Sequence, residues 1–212
     1  MKKITFIGAP GSGKSTLATQ IFTTLKKRGI NAEMVHEWVR CDIWKNGPMQ
    51  SVWEQYRTMI HHKEIEDSVP SSVDIMVSDS SSLTPYFYAV HYVNPENARE
   101  RLVLQDMYRY LLDDIYLNRY DLIFYLPTQP NVDTDDGTRF QSAEDIEMLD
   151  MHMGMVFTAL HKTSRIFRID GPMDGRHDIV MNIIEEQLFK KDIAPETSAE
   201  YNDDIPKRTK KN

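Results

Sequence analysis

The chain has 212 residues and a formal net charge of −7, with a single cysteine, Cys41. That length predicts one domain with a well-buried core. The lone cysteine excludes an intramolecular disulfide and a cysteine-cluster metal site, so a reducing, cytoplasmic setting is expected. The acidic balance argues against broad, sequence-independent binding to nucleic acid, which relies on Lys and Arg against phosphate, while leaving room for a local basic groove. No apolar run approaches the roughly 20 residues of a membrane span, and the first strand-like run begins too early to leave room for a signal peptide.

Ile4-Thr5-Phe6-Ile7 reads as the first strand. Gly8 to Ser15 follows as Gly-Ala-Pro-Gly-Ser-Gly-Lys-Ser, a complete G-x-x-x-x-G-K-[ST] loop, and leads into a helical stretch from Thr16 to about Arg28. A strand before and a helix after are the context this phosphate-binding motif requires. Backbone N–H groups in such a loop point inward at phosphates, helped by the positive end of the following helix. Gly8, Gly11 and Gly13 permit backbone conformations and approaches that a Cβ would block. Lys14 is expected to reach the β/γ oxygens and Ser15 to ligate Mg²⁺. With Ala9, Pro10, Ser12 and Thr16 they form the expected ATP-binding set.

Farther along, Asn31 to His36 reads as a second strand. Pro48 to Asp67 reads as a helix, with Val52, Tyr56, Met59 and Ile60 at helical spacing, and Val73 to Val77 as a third strand. Helices are predicted over Pro85 to His91 and Glu96 to Asn118, the latter with Leu102, Gln105, Met107, Leu111 and Ile115 along it. Leu122 to Leu126 is a buried strand stopped by Pro127. Ser142 through His161 is helical, and Ser142 with Asp145 makes a capping pair. Arg165 to Ile169 and Asp174 to Phe189 complete the pattern as a strand and a helix. Alternating strands and helices imply an α/β fold, a parallel sheet of about five strands covered on both faces. The expected domain is residues 1–189, with a short lid at about 128–141. Residues 190–212 carry few apolar side chains among many charges, the composition of a flexible tail.

Ligands of parallel sheets gather at the carboxyl ends of the strands. The third strand runs out at Ser78-Asp79, where phosphate-loop proteins place an acid that organises Mg²⁺; the next residue is Ser80, not the Glu of ATP-hydrolysing motors. The second strand runs into His36-Glu37-Trp38-Val39-Arg40. Glu37 is a candidate to accept or orient the proton of an attacking hydroxyl, Arg40 to steady the transferred group, and Trp38 to stack on a base or to pack. The loop after the fourth strand holds Asp133, Asp135, Asp136 and Arg139, with Arg139 the candidate lid arginine and the carboxylates candidates for sugar hydroxyls. The last turn-rich loop, Asp170 to Arg176, offers Arg176 to an adenine base or a phosphate.

Taken together, the Gly8–Ser15 loop, Glu37-x-x-Arg40, the strand ending at Asp79, Asp135-Asp136-Gly137-Thr138-Arg139 and the Asp170–Arg176 loop resemble the AAA_28-type P-loop kinase family. Within it they resemble the nicotinamide riboside kinase domain of bacterial NAD-biosynthesis regulators, over roughly residues 1–188. The resemblance implies a three-layer α/β/α P-loop NTPase fold of nucleoside/nucleotide-kinase type. It implies transfer of the ATP γ-phosphate to a hydroxyl of a small nucleoside-like acceptor. Lys14 and Ser15 would serve ATP and Mg²⁺, Glu37 and Arg40 the acceptor side, Asp79 the metal and hydroxyl, and Asp135, Asp136 and Arg139 the lid.

Three alternatives stay open at this level. A deoxynucleoside or nucleotide kinase shares the layout, although Asp79-Ser80-Ser81 lacks the arginine of an Asp-Arg-Ser motif. A kinase acting on a nucleic-acid end or modified base would use a local track such as Arg99, Arg101 and Arg109. An ATP-gated binding module with slow hydrolysis would suit the missing Glu after Asp79. The sequence leaves the oligomeric state open; Met151, Met153 and Met155 suit either an interface or a helix core.

Overall fold

The computed structural model describes residues 1–129, 141–160 and 165–189. Five strands, β1 (Lys2–Ile7), β2 (Ala32–Val35), β3 (Ile75–Asp79), β4 (Leu122–Tyr125) and β5 (Ile166–Arg168), form one parallel sheet in the order β2-β3-β1-β4-β5. The helices are α1 (Lys14–Lys27), α2 (Val39–Asn46), α3 (Val52–Ser68), α4 (Thr84–Tyr92), α5 (Ala98–Tyr116), α6 (Ala143–Leu160) and α7 (Met173–Ile184); α7 loosens into a π-helical turn, Glu185–Phe189.

Alternation along the central strands builds two cores, because successive strand side chains leave opposite faces of the sheet. Ile4 and Phe6 of β1, with Leu122 and Phe124 of β4, pack under α1 and α7 against Leu17, Ile21, Leu25, Val180 and Ile184. Ile7, Ile123 and Tyr125 face the other way, against Phe87, Leu111, Ile115, Leu149, Met153 and Phe157 of α4, α5 and α6. A third cluster, Val52, Met59, Ala89 and Met107, ties α3 to α4 and α5. The sheet therefore has helices on both faces, as expected from the strand–helix alternation.

Local chemistry sets the helix starts. Ser51 Oγ accepts the Glu54 N–H at 3.3 Å while Glu54 accepts from Ser51 Oγ at 2.8 Å, a reciprocal cap on α3. Asn97 caps α5 through the N–H groups of Arg99 and Glu100. The expected Ser142–Asp145 pair caps α6, with Asp145 N–H donating to Ser142 Oγ at 3.1 Å.

The structure corrects the sequence reading in three places. The stretch after Glu37 is a helix, α2, and none of its residues is fully buried. Its apolar residues, Val39, Ile43 and Trp44, line a cavity and do not join the core, so the repeating stripe that announces a core helix is absent. Leu102 is 61% exposed, off the buried line Met107, Leu111 and Ile115. Five residues before Met107 is about 140° around the helix. Strand β3 runs through Asp79, its register fixed by Thr5↔Ser78 and Phe6↔Asp79 against β1. On α6, Met153 is core while Met151 and Met155 point outward. The expected tail, 190–212, and most of the expected lid, 130–140, lie outside the described residues.

Candidate active site

The strand order puts β1 between β3 and β4, so the chain goes one way from β1 into β2 and β3 and then crosses to β4. A crevice at such a reversal, above the carboxyl ends of the strands, is the usual ligand position of open α/β sheets. A cavity of about 480 Å³ opens there. Its lining runs from the phosphate loop (Pro10, Gly11, Gly13, Lys14, Ser15, Thr16) past Glu37 and Arg40 to a chamber that includes Trp44, Met49, Gln55, His62 and Tyr88.

The loop is built as its glycines require. Gly11 (φ 81°) and Gly13 (φ 85°) take left-handed conformations that a side chain disfavours. A Cβ on Gly8 would stand 2.5 Å from the Leu126 carbonyl oxygen, so this glycine lets the loop lie against the exit of β4. Gly13 also caps α1 without any side-chain acceptor, leaving the first N–H groups of the helix for a ligand. Gly8, Ala9 and Ser12 sit beneath the cavity wall; Ala9 and Ser12 are buried, and Ser12 Oγ has no partner among the described residues.

Ser15 Oγ donates to Asp79 Oδ1 at 3.0 Å, joining the first turn of α1 to the end of β3. Asp79 is 6% exposed. Burial pushes its carboxyl up from the ordinary Asp range and the charge of Glu37 adds to the push, against the opposing pull of Lys14, the Ser15 hydrogen bond and Arg40. These causes place Glu37, Lys14 and Arg40 each within electrostatic reach of Asp79. A hydroxyl and a carboxylate oxygen side by side are a donor set suited to a hard cation.

Ser80 follows with φ 78°, an uncommon conformation for a residue with a Cβ, held by Thr5 Oγ1 donating to its carbonyl at 2.7 Å and by Ser80 Oγ on Thr84 Oγ1 at 3.3 Å. Behind the chamber, Glu66 is fully buried and accepts from Ser78 Oγ (2.9 Å), from Tyr120 OH, and from Arg119 Nη2 at 3.1 Å, with His62 Nε2 at 3.2 Å. His62 lines the cavity, so this network lies behind the chamber wall and fixes Ser78, the residue before Asp79.

Two side chains expected to face a ligand do not line the cavity. Trp38 stands edge-on to His61, ring centroids 4.4 Å apart, and is absent from the cavity lining; its neighbour on the next turn and a half, Trp44, takes that place. Arg176 is 1% exposed, and its guanidinium is spent on main-chain carbonyls beneath the phosphate loop, so no face is left to stack on a base. Asp135, Asp136 and Arg139 lie outside the described residues. Arg99, Arg101 and Arg109 lie on α5 away from the cavity, Arg109 paired with Asp106 at 2.6 Å. Lining residues that pattern reading missed are Trp44, Met49, Gln55, Thr58 and His62, while Tyr88 falls in the segment from Tyr86 to Arg109 expected to shape the acceptor pocket. The one available signal was the row Gln55, Thr58, His62 at helical spacing, polar residues on the face that should have been core.

Among solved structures, this chain is similar to a NadR protein in complex with NAD and AMP-PNP (16% identity, TM-score 0.64, covering 88% of this chain and 49% of that one). It is similar as well to a NadR protein in complex with NR (18%, 0.65, 88% and 51%). A deoxyadenosine kinase from M. mycoides with bound dATP shares the fold at 16% identity and a TM-score of 0.55, covering 87% of this chain and 100% of that one. The chain spans about half the length of the NadR chains it matches. These likenesses show a P-loop nucleoside-kinase-like fold. No curated protein matches the sequence significantly. Among the described residues no helix is long and apolar enough to cross a membrane. The AAA domain family AAA_28 matches residues 3–166, more than half of the sequence, and the chain belongs to that family.

Proposed function

We propose that the chain is an ATP-dependent small-molecule kinase that transfers the γ-phosphate to a hydroxyl of a nucleoside-like acceptor, nicotinamide riboside or a related nucleoside. The observation that carries this reading is the continuity of one cavity from the phosphate loop, past Glu37 and Arg40, to a chamber where apolar side chains (Trp44, Met49, Tyr88) and polar ones (Gln55, Thr58, His62) share the lining. Loop amides and Lys14 hold the phosphates. Ser15 and Asp79 are the residues that would hold Mg²⁺, which neutralises phosphate charge when bound. Glu37 receives or orients the proton of the acceptor hydroxyl, and Arg40 steadies the charge spread over the transferred group.

The chamber favours a nucleoside over a nucleotide. Its described cations are Lys14 and Arg40, both at the transfer end, with none at the far end to meet an acceptor phosphate. Gln55 is 6% exposed, and its amide, with donors and an acceptor, suits the polar edge of a heterocycle between Trp44, Met49 and Tyr88.

The test is ADP release with Mg·ATP against a panel of nicotinamide riboside, ribonucleosides, deoxynucleosides, monophosphates and short oligonucleotides. Acceleration by one small acceptor, abolished in Lys14→Ala, is expected. Stimulation by oligonucleotide alone, or tight ATP binding with no stimulation by any acceptor, refutes the proposal.

A further inference from the structure

Arg176, on the first turns of α7, is the largest fully buried side chain in the described structure, and main-chain carbonyls take all three of its guanidinium nitrogens. Nη1 donates to the Ser12 carbonyl at 2.8 Å, Nε to the Gly171 carbonyl at 3.0 Å and Nη2 to the Pro127 carbonyl at 3.2 Å. The three acceptors belong to the phosphate loop, the exit of β4 and the turn leading into α7. Among the described residues no carboxylate is hydrogen-bonded to this buried guanidinium, although the charges of Asp170 and Asp150 reach it; burial is costly, so hydrogen bonds at all three nitrogens are needed to hold it there.

Peptide geometry gives this arrangement a consequence inside the cavity. The C=O and N–H of a planar trans peptide point in opposite directions. Holding the Ser12 carbonyl from behind therefore turns the N–H of Gly13 the other way, and Gly13 lines the cavity. The same opposition is visible at the neighbouring acceptor. The Pro127 carbonyl takes Arg176, while the next amide, Thr128 N–H, donates away from it to Asp150 Oδ2 at 3.1 Å. Met173, three residues before Arg176, stands 2.4 Å from where a Gly13 Cβ would be, so the same helix turn also braces Gly13 by contact.

We propose that Arg176 is a positioning residue for the nucleotide: from beneath the phosphate loop it aims and polarises the Gly13 N–H toward the phosphates and ties the loop to the exit of β4, touching no substrate itself. This rests on the nucleotide-binding reading of the cavity given above. A positive charge on the carbonyl side of a peptide strengthens its N–H as a donor, so the residue acts on binding through one amide.

The experiment uses the whole chain and Arg176→Lys, which keeps the charge but offers one ammonium to three carbonyls. The expected result is an AMP-PNP affinity weaker by about tenfold, the scale of one charge-assisted hydrogen bond. With it comes a displaced Gly13 amide resonance in the nucleotide-free ¹H–¹⁵N spectrum while amides of β2 and α3 keep theirs. Unchanged affinity with an unmoved Gly13 resonance overturns the proposal. So does a loss of affinity accompanied by displacement throughout the spectrum, the mark of a merely structural residue. Should Arg176→Lys fail to fold, the Arg176 side-chain ¹⁵N resonances of the wild-type chain are followed during AMP-PNP titration; they are expected to move, and resonances that stay still overturn the proposal. A wild-type chain with no AMP-PNP affinity removes the proposed function instead, and the Gly13 resonance of nucleotide-free Arg176→Lys still decides the present point.

Discussion

Replacing Glu66 by Gln isolates the charge at the centre of the buried network under the acceptor chamber. Glu66 is fully buried, and its two oxygens accept from Ser78, Tyr120 and Arg119, with His62 alongside. Gln is isosteric and can keep its oxygen on Arg119 while its NH₂ faces the Ser78 and Tyr120 hydroxyls, which rotate to accept. What is lost is the negative charge, leaving Arg119 with Asp67 at 3.0 Å as its remaining carboxylate partner. Converting charge-assisted bonds to neutral ones beside a half-buried guanidinium costs about 2–4 kcal/mol. For a chain of this size that is a fall in Tm of roughly 4–16 °C. Urea denaturation at pH 7 measures the free energy, and a double-mutant cycle with Arg119→Met separates the pair from the rest. The pH dependence carries a sign. Burial pushes the Glu66 carboxyl up, but the His62 hydrogen bond and charge, Arg119 and the Ser78 hydrogen bond together hold it below the ordinary Glu range. The carboxylate's contribution is then fully present above the unfolded-state value and is lost as pH falls through the lower folded-state value. The gap between wild type and Glu66→Gln is therefore expected to persist at neutral pH and to close in acid below the ordinary carboxylate range. A gap under about 0.5 kcal/mol at pH 7, within the range of a surface substitution, refutes the reasoning.

Glu37→Gln is expected to lower kcat by about 10²–10⁴, the range for a positioned base, with ATP affinity near wild type; steady-state kinetics beside AMP-PNP titration read the split. Gln55→Leu is expected to raise the acceptor KM and leave the ATP KM unchanged, so equal changes in both would remove Gln55 from the acceptor chamber. Because burial and Glu37 raise the Asp79 carboxyl in the free protein, a folded-state value above the unfolded one, ionised Asp79 weighs against folding as pH rises through that region. Its protonation on the way down should bend kcat/KM for Mg·ATP at a pH above the ordinary Asp range, and Asp79→Asn should remove the bend along with most of the rate.

The scaffold was legible because its signals are local. Ile4 to Ile7 before a full phosphate-binding motif, Leu122 to Leu126 before Pro127, and the Ser142–Asp145 cap each carry their structure within a few residues. The phosphate loop was legible from the same motif, and the nearness of Glu37, Arg40 and Asp79 to it from their places at strand ends. The acceptor half did not follow. Trp44 and Gln55 reach the cavity only because α2 and α3 fold over the sheet end, and α2 has no buried stripe to announce it. Trp38 and Arg176 sit in segments beside the cavity, yet which way each side chain points is decided by tertiary packing: His61 for one, three carbonyls from distant segments for the other.

Helix α2 walls the cavity while contributing no fully buried residue to any core. The phosphate loop, by contrast, rests on the central strands. Substitutions along α2 at positions other than Arg40 forfeit little packing energy, so the wall of the cavity they form can change with little loss of stability. The nucleotide end, locked into the sheet, has no such latitude.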